Sequence, residues 1–325
     1  MQLKKSRKYY IFITWLVISL FFIPTLSSFG QKKASEVTHP AWSRNLTMYE
    51  VNLRQYTKGG TFREFEARLP ELKKMGVGVL WFMPINPIGE KNRKGSLGSY
   101  YSVKDYMKVN PDYGTLEDFK SLVKKIHQSG MYVIIDWVAN HTSWDNVLTV
   151  SHPEYFSKDS AGNFMPPVAD WTDVIKLNYE NKDLWKYMTG ALTYWITETG
   201  IDGYRCDVAS MVPTAFWNEA RAELNKSKKV LMLAEAETPE LHEKAFDMTY
   251  SWNLYHLMND IAGAKKSAAD LDAYFKKDRE EYPKDSYRLT FTTNHDENSW
   301  NGTEFERLGN GVKAFEVLSF TAEGF

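Results

Sequence analysis

Arg205 and Asp207 stand two residues apart in GYRCDVAS, at the end of a short apolar run. In a strand, side chains two apart share a face, so a guanidinium would sit beside a carboxylate. An opposite charge that close depresses a carboxylate's pKa, and a nucleophilic carboxylate must be ionised. By itself the pair reads more readily as a structural ion pair near a strand end. Three further stretches shift that reading: DWVANH at 136–141, LAEAE at 233–237 and TTNHDEN at 292–298. Each is an apolar or Thr-rich run that stops at carboxylates, His or Asn. Two carboxylates that divide nucleophile and acid duties need surroundings that push their pKa values apart. The sequence predicts that Arg205 keeps Asp207 charged, while the apolar run before Glu235 and the nearby negative charges keep Glu235 protonated. Glu237 competes with Glu235 for that place, being two residues further along the same face.

Those residues need a scaffold that brings distant strand ends together. The chain is 43% apolar, 15% aromatic and carries a formal net charge of -1 over 325 residues, a globular composition with ample core. The charge balance gives no reason to expect a nucleic-acid partner. Lys4, Lys5, Arg7 and Lys8 precede an apolar stretch at 9–26, followed by small and polar residues. That order reads as a signal peptide over 1–30, predicting export to the periplasm or extracellular space; an uncleaved membrane anchor is the alternative. The single cysteine, Cys206, rules out an internal disulfide and reads as a small buried hydrophobe between Arg205 and Asp207.

From 46 onward, apolar strand-like runs alternate with amphipathic helical ones. Strands are expected at 46–56, 77–85, 131–139, 201–208, 229–236, 247–255 and 287–293. Helices are expected at 61–75, 115–129, 181–199, 213–225, 239–246, 268–281 and 312–321. Strict alternation without a GxGxxG turn predicts an α/β fold of the (β/α)8 TIM-type barrel class, whose chemistry gathers at the strands' carboxyl ends. The interval 142–179 is too long for an ordinary loop and is expected to be a small excursion domain inserted in a barrel spanning 46–325. The chain stops where an eighth strand would begin, so the barrel is expected to be incomplete at the C-terminus, with two exposed edges.

DWVANH, GYRCDVAS, AEAE and TTNHDEN, in that order on the third, fourth, fifth and seventh strands, resemble the four signature regions of the α-amylase family, glycoside hydrolase family 13. KLN at 176–178 resembles a further signature at the end of the excursion. The resemblance implies a retaining α-glycosidase acting on α-linked glucan or maltooligosaccharide. It assigns Asp207 as nucleophile, Glu235 as general acid/base and Asp296 as the third carboxylate. It also implies sugar contacts from Tyr101, with Tyr100 as the alternative register, and from His141 and His295 beside Arg205; Asp136 would support the Arg205–Asp207 pair. Asn140 would be a calcium ligand, with Asp173 or Asp170 supplying carboxylate oxygens; no cofactor is needed for the chemistry.

The chain departs from starch-degrading members in carrying Ala209, Ser210 and Met211 where a Lys-His pair is frequent, which weakens the calcium site and long-chain starch alike. The alternatives are an α-glucan transglycosidase, a non-catalytic amylase-like accessory protein, and an inactive fragment. The presence of all three carboxylates argues against the accessory protein.

Overall fold

The computed structural model describes residues 35–322; the expected leader at 1–30 lies outside the described residues. In chain order the strands are β1 (Thr47–Val51), β2 (Val77–Phe82), β3 (Tyr132–Trp137), β4 (His141–Ser143), β5 (Val174–Lys176), β6 (Gly203–Cys206), β7 (Leu231–Ala234), β8 (Met248–Tyr250) and β9 (Tyr287–Leu289). Seven of them form one parallel sheet in the order β1-β2-β3-β6-β7-β8-β9, as expected of an incomplete (β/α)8 barrel. The antiparallel pair β4-β5 stands apart, within the long interval between β3 and the helix Lys182–Thr199.

Alternation along the strands sorts the core into two layers. Val79, Trp81, Ile134, Leu231, Leu233 and Tyr250 pack together on the face enclosed by the sheet. Their neighbours Leu80, Phe82, Val133, Ile135, Tyr204, Cys206 and Met232 pack outward with helix residues such as Phe119, Leu122, Trp195 and Trp217. Cys206 is fully buried there, as a small hydrophobe should be. The helix Leu116–Gln128 shows why these segments are helical. Thr115 and Asp118 form a reciprocal capping box, and Phe119, Leu122, Val123 and Ile126 bury one stripe. Gly203 opens β6 because nothing larger fits: a Cβ there would lie 1.9 Å from the Leu231 carbonyl oxygen.

The strands are shorter than their apolar runs. The run at 46–56 is strand only to Val51, then turns into the helix Leu53–Tyr56. The run at 247–255 is strand to Tyr250, then the helix Trp252–Ala262, whose buried Leu254, Tyr255 and Met258 have helical spacing that the aromatic content obscured. The helix expected at 61–75 is two, Phe62–Glu66 and Leu69–Lys74, with Pro70 in the first turn of the second, where its missing N–H costs nothing. TTNHDEN is not on the strand at all, because β9 stops at Leu289. Asn294 caps the helix His295–Trp300 by accepting from the Glu297 N–H. Among the described residues β1 and β9 are the sheet edges, and a cleft of about 620 Å³ between them is lined by Leu46, Met48, Leu289, Phe291 and Phe320.

Candidate active site

The β3–β6 register pairs Asp136 with Arg205, and the β6–β7 register pairs Arg205 with Leu233. In a parallel sheet paired residues point to the same side, so Asp136 and Arg205 meet on the enclosed face. The ladder runs on past the strand ends. Asp207 donates its N–H to the Trp137 carbonyl at 3.0 Å, and Glu235 donates to Cys206 at 3.0 Å. These bonds fix both carboxylates at the carboxyl rim.

Arg205, fully buried, organises the rim. Its Nη1 donates to Asp136 Oδ1 and Oδ2 at 2.9 and 3.0 Å and to Asp207 Oδ1 at 3.1 Å. Nη2 lies 2.8 Å from Glu235 Oε1, and Nε donates to the Tyr250 hydroxyl at 3.3 Å. Trp81 turns its ring toward the guanidinium, with the Arg205 Cζ 5.1 Å from the ring centre, and donates its indole N–H to Asp136 Oδ2. One guanidinium thus serves three carboxylates, whereas the sequence reading gave it to Asp207 and, through support, Asp136.

That sharing corrects the expected electrostatics. Burial, and then the Glu235 charge, push the Asp207 carboxyl well above the usual range against the pull of Arg205. Burial likewise raises Asp136 to about 6, opposed by Arg205. Burial and their neighbouring negative charges thus bias Asp136 and Asp207 toward holding a proton, against the pull of Arg205. Burial lowers His141 to about 4, leaving its imidazole neutral near pH 7, with Nε2 3.9 Å from Asp207 Oδ2.

Tyr101 and His295 meet across the rim. Their rings stack with centres 5.5 Å apart, and the Tyr101 hydroxyl lies 2.8 Å from His295 Nε2 and 3.2 Å from Asp136 Oδ2. Asp296 Oδ1 is 3.4 Å from the same imidazole nitrogen, and burial raises its carboxyl while His295 opposes. Tyr100 is turned elsewhere: its hydroxyl donates to Asn52 Oδ1 and its ring receives Arg54. A cleft of about 810 Å³ opens over the rim, with Glu50, Trp81, Tyr101, Tyr250, His295 and Asp296 in its walls. Asp207 and Glu235 lie deeper, with only 10% and 12% of their side chains exposed.

Glu237 belongs to a different network, since it accepts from Arg288 Nη2 at 2.7 Å and from the Asn253 N–H. The alternative to Glu235 is thereby removed from the rim. The expected metal ligands are not gathered. The Asn140 amide is 3.3 Å from His141 Nδ1. Asp173 faces the Lys94 ammonium at 3.4 Å, which also donates to the Asp170 carbonyl at 2.6 Å. Among the described residues no group of three or more His, Cys, Asp or Glu could hold a metal ion. Lys94 brings positive charge to the oxygens a calcium ion would need, so this donor set does not fit calcium and no chemical step runs through one.

Trp81, Tyr250 and Glu50 join the site without having been read from the sequence. Glu50 carried the signal used elsewhere, a carboxylate near the end of an apolar strand. Trp81 and Tyr250 lay inside apolar runs and could not be told from core.

A family model for the α-amylase catalytic domain matches residues 27–166 and 168–325. An α-amylase from Lactobacillus plantarum is similar in structure at a TM-score of 0.79 and 38% identity, covering 86% of this chain and 70% of that one. The maltogenic α-amylase AmyB of Thermotoga neapolitana matches at 0.74 and 38%, covering 78% and 60%. Among curated proteins, alpha-amylase 2 of Dictyoglomus thermophilum is 26% identical over 286 residues, 80% of this chain and 50% of its own length. An alpha-1,4-glucan:maltose-1-phosphate maltosyltransferase of Methylacidiphilum infernorum is 28% identical over 246 residues, 68% of this chain and 35% of its own. The chain therefore spans half or less of the length of these two curated relatives. With the family model matching almost the whole described chain, the protein belongs to the α-amylase family over its catalytic domain.

Proposed function

We propose that the chain is a retaining glycosidase that cleaves α-linked glucan or maltooligosaccharide through a covalent glycosyl-enzyme intermediate. The observation that carries this reading is the placement of Asp207 and Glu235 on the two terminal nitrogens of one guanidinium. Sharing one guanidinium makes the two carboxylates neighbours on the rim, the arrangement a retaining nucleophile and its acid/base partner need. Asp207 attacks the anomeric carbon as Glu235 gives its proton to the departing glycosidic oxygen. Glu235 then takes a proton from water, which attacks the same carbon and releases Asp207. Substrate entry must shift the Glu235–Arg205 contact so that Asp207 keeps the guanidinium and becomes the charged partner.

Tyr101, His141, His295 and Asp296 would hold the sugar at the cleavage point, with Tyr101 and His295 offering stacked faces to its apolar side. Transfer to an acceptor sugar, the second reading, is favoured by the maltosyltransferases among the relatives. We read residues 1–30 as an export signal, which would place the enzyme where extracellular or periplasmic glucan reaches it. The test is reducing-sugar release from a short α-1,4 maltooligosaccharide by the chain lacking its first thirty residues, beside Asp207→Asn. Turnover lost in the variant supports the assignment. A folded chain without turnover on any α-glucan overturns it, and longer products in place of reducing ends mark transfer.

A further inference from the structure

Glu50 lies on β1, in register with Trp81, and so points to the enclosed face. Its Oε1 lies 2.5 Å from His295 Nδ1, and its Oε2 accepts the His295 backbone N–H at 3.2 Å. Both carboxylate oxygens are therefore spent on one residue, from the opposite edge strand of the open sheet. With Nδ1 donating to Glu50, the state of Nε2 decides what His295 offers the cleft.

Hydrogen counting answers that question. Tyr101 has one hydroxyl proton and two neighbours, Asp136 Oδ2 at 3.2 Å and His295 Nε2 at 2.8 Å. Were His295 neutral, Nε2 would need that proton and Asp136 would lose a donor. With an imidazolium, Nδ1–H donates to Glu50, Nε2–H donates to the Tyr101 oxygen and Tyr101 donates to Asp136, so donation runs outward from His295 on both sides and every link has one donor and one acceptor. The charged groups facing the ring are Glu50 from β1, Asp296 beside it, Asp136 from β3 and Arg205 from β6; three favour the cation and one opposes it.

We propose that Glu50 is a positioning residue that holds His295 as an imidazolium, so that Nε2 is a fixed hydrogen-bond donor aimed at a sugar hydroxyl in the cleft. This rests on the glycosidase reading for its substrate, though not for its geometry. Burial works against the charge, and Glu50 outweighs it, raising the His295 pKa. The donor is thus present below that raised value and lost as pH rises through it. A sugar hydroxyl arriving at Nε2 would take the place of the Tyr101 oxygen as acceptor, leaving Tyr101 bonded to Asp136.

The test is a titration of the His295 ring by NMR on isotopically labelled protein, its signal assigned by its absence in His295→Gln. The proposal expects titration above the ordinary histidine value in the parent, a fall of about one unit or more in Glu50→Gln, and recovery in Glu50→Asp. On a maltooligosaccharide, the alkaline limb of the kcat/KM profile should move to lower pH in Glu50→Gln by the same shift. An unchanged ring titration in a Glu50→Gln protein with parental circular dichroism overturns the proposal. A shifted ring titration in a protein with no turnover on any glucan supports the geometry and overturns the glycosidase reading instead, so the two failures are distinct.

Discussion

Val208 donates its N–H to Glu235 Oε2 at 2.7 Å from a backbone held at φ 36° and ψ 48°. A β-branched residue in the left-handed region costs on the order of 1–3 kcal/mol and persists only where the surroundings impose it. Here the strain lies at the residue following Asp207. The bend turns the Val208 N–H toward β7, while Asp207 remains on the Trp137 carbonyl. Glu235 is thus oriented by two fixed donors, the Val208 amide and Arg205 Nη2, before any substrate arrives.

Glu235→Gln keeps the side-chain oxygen that accepts from Val208 but has no proton to give. On a maltooligosaccharide, kcat should fall by about 10²–10⁴-fold. An aryl glycoside with a good leaving group, which needs little acid assistance, should lose much less in its first step. Equal losses on both substrates would remove Glu235 from the acid role.

Arg205→Met leaves Asp136, Asp207 and Glu235 together without a counter-charge. Removing one partner of a buried ion pair costs about 3–5 kcal/mol. The denaturation midpoint should fall accordingly at neutral pH, and the loss should shrink as acid protonates the three carboxylates. A loss independent of pH would mean that packing, rather than charge, explains the residue.

His242 is buried, with Nε2 2.9 Å from Thr249 Oγ1, and burial followed by the Arg288 charge lowers it to about 3. Its folded pKa lies below the ordinary value of 6.5, so the unfolded chain takes up the proton first as pH falls. Its contribution is full above the unfolded pKa and is lost on acidification, by about 1.5 kcal/mol between pH 6.5 and pH 5. His141, lowered to about 4, acts in the same direction; Asp136, raised to about 6, opposes both. His242→Gln should flatten the dependence of unfolding free energy on pH in this window, whatever its effect on stability at pH 7. An unaltered slope would show that His242 is not buried as described.

Gly203→Ala would place a methyl group against the Leu231 carbonyl and force β6 away from β7. The expected cost is about 3 kcal/mol or more, read as a shifted denaturant midpoint. Because Arg205 and Glu235 lie just beyond this contact, activity should fall further than stability alone explains. A neutral substitution would mean that the strands separate freely at this end.

Alternation of apolar runs and caps was enough to establish the barrel class, because period and punctuation are local properties of the chain. It also placed Asp207 and Glu235 just past strand ends, whereas Asp296 lies in the first turn of the helix His295–Trp300. The sequence could not divide 247–255 between a strand and a helix, because aromatic residues satisfy both patterns over so short a stretch.

The partners of Arg205 were decided only in the tertiary structure. The spacing of Arg205 and Asp207 showed one contact, while the contact with Glu235 depends on how two strands align in register, Arg205 beside Leu233. The same holds for Glu50 and His295, which lie 245 positions apart and meet because the sheet curls. Local sequence determines which residues end the strands. Burial and strand register determine which charges those residues face, and therefore which proton each of them keeps.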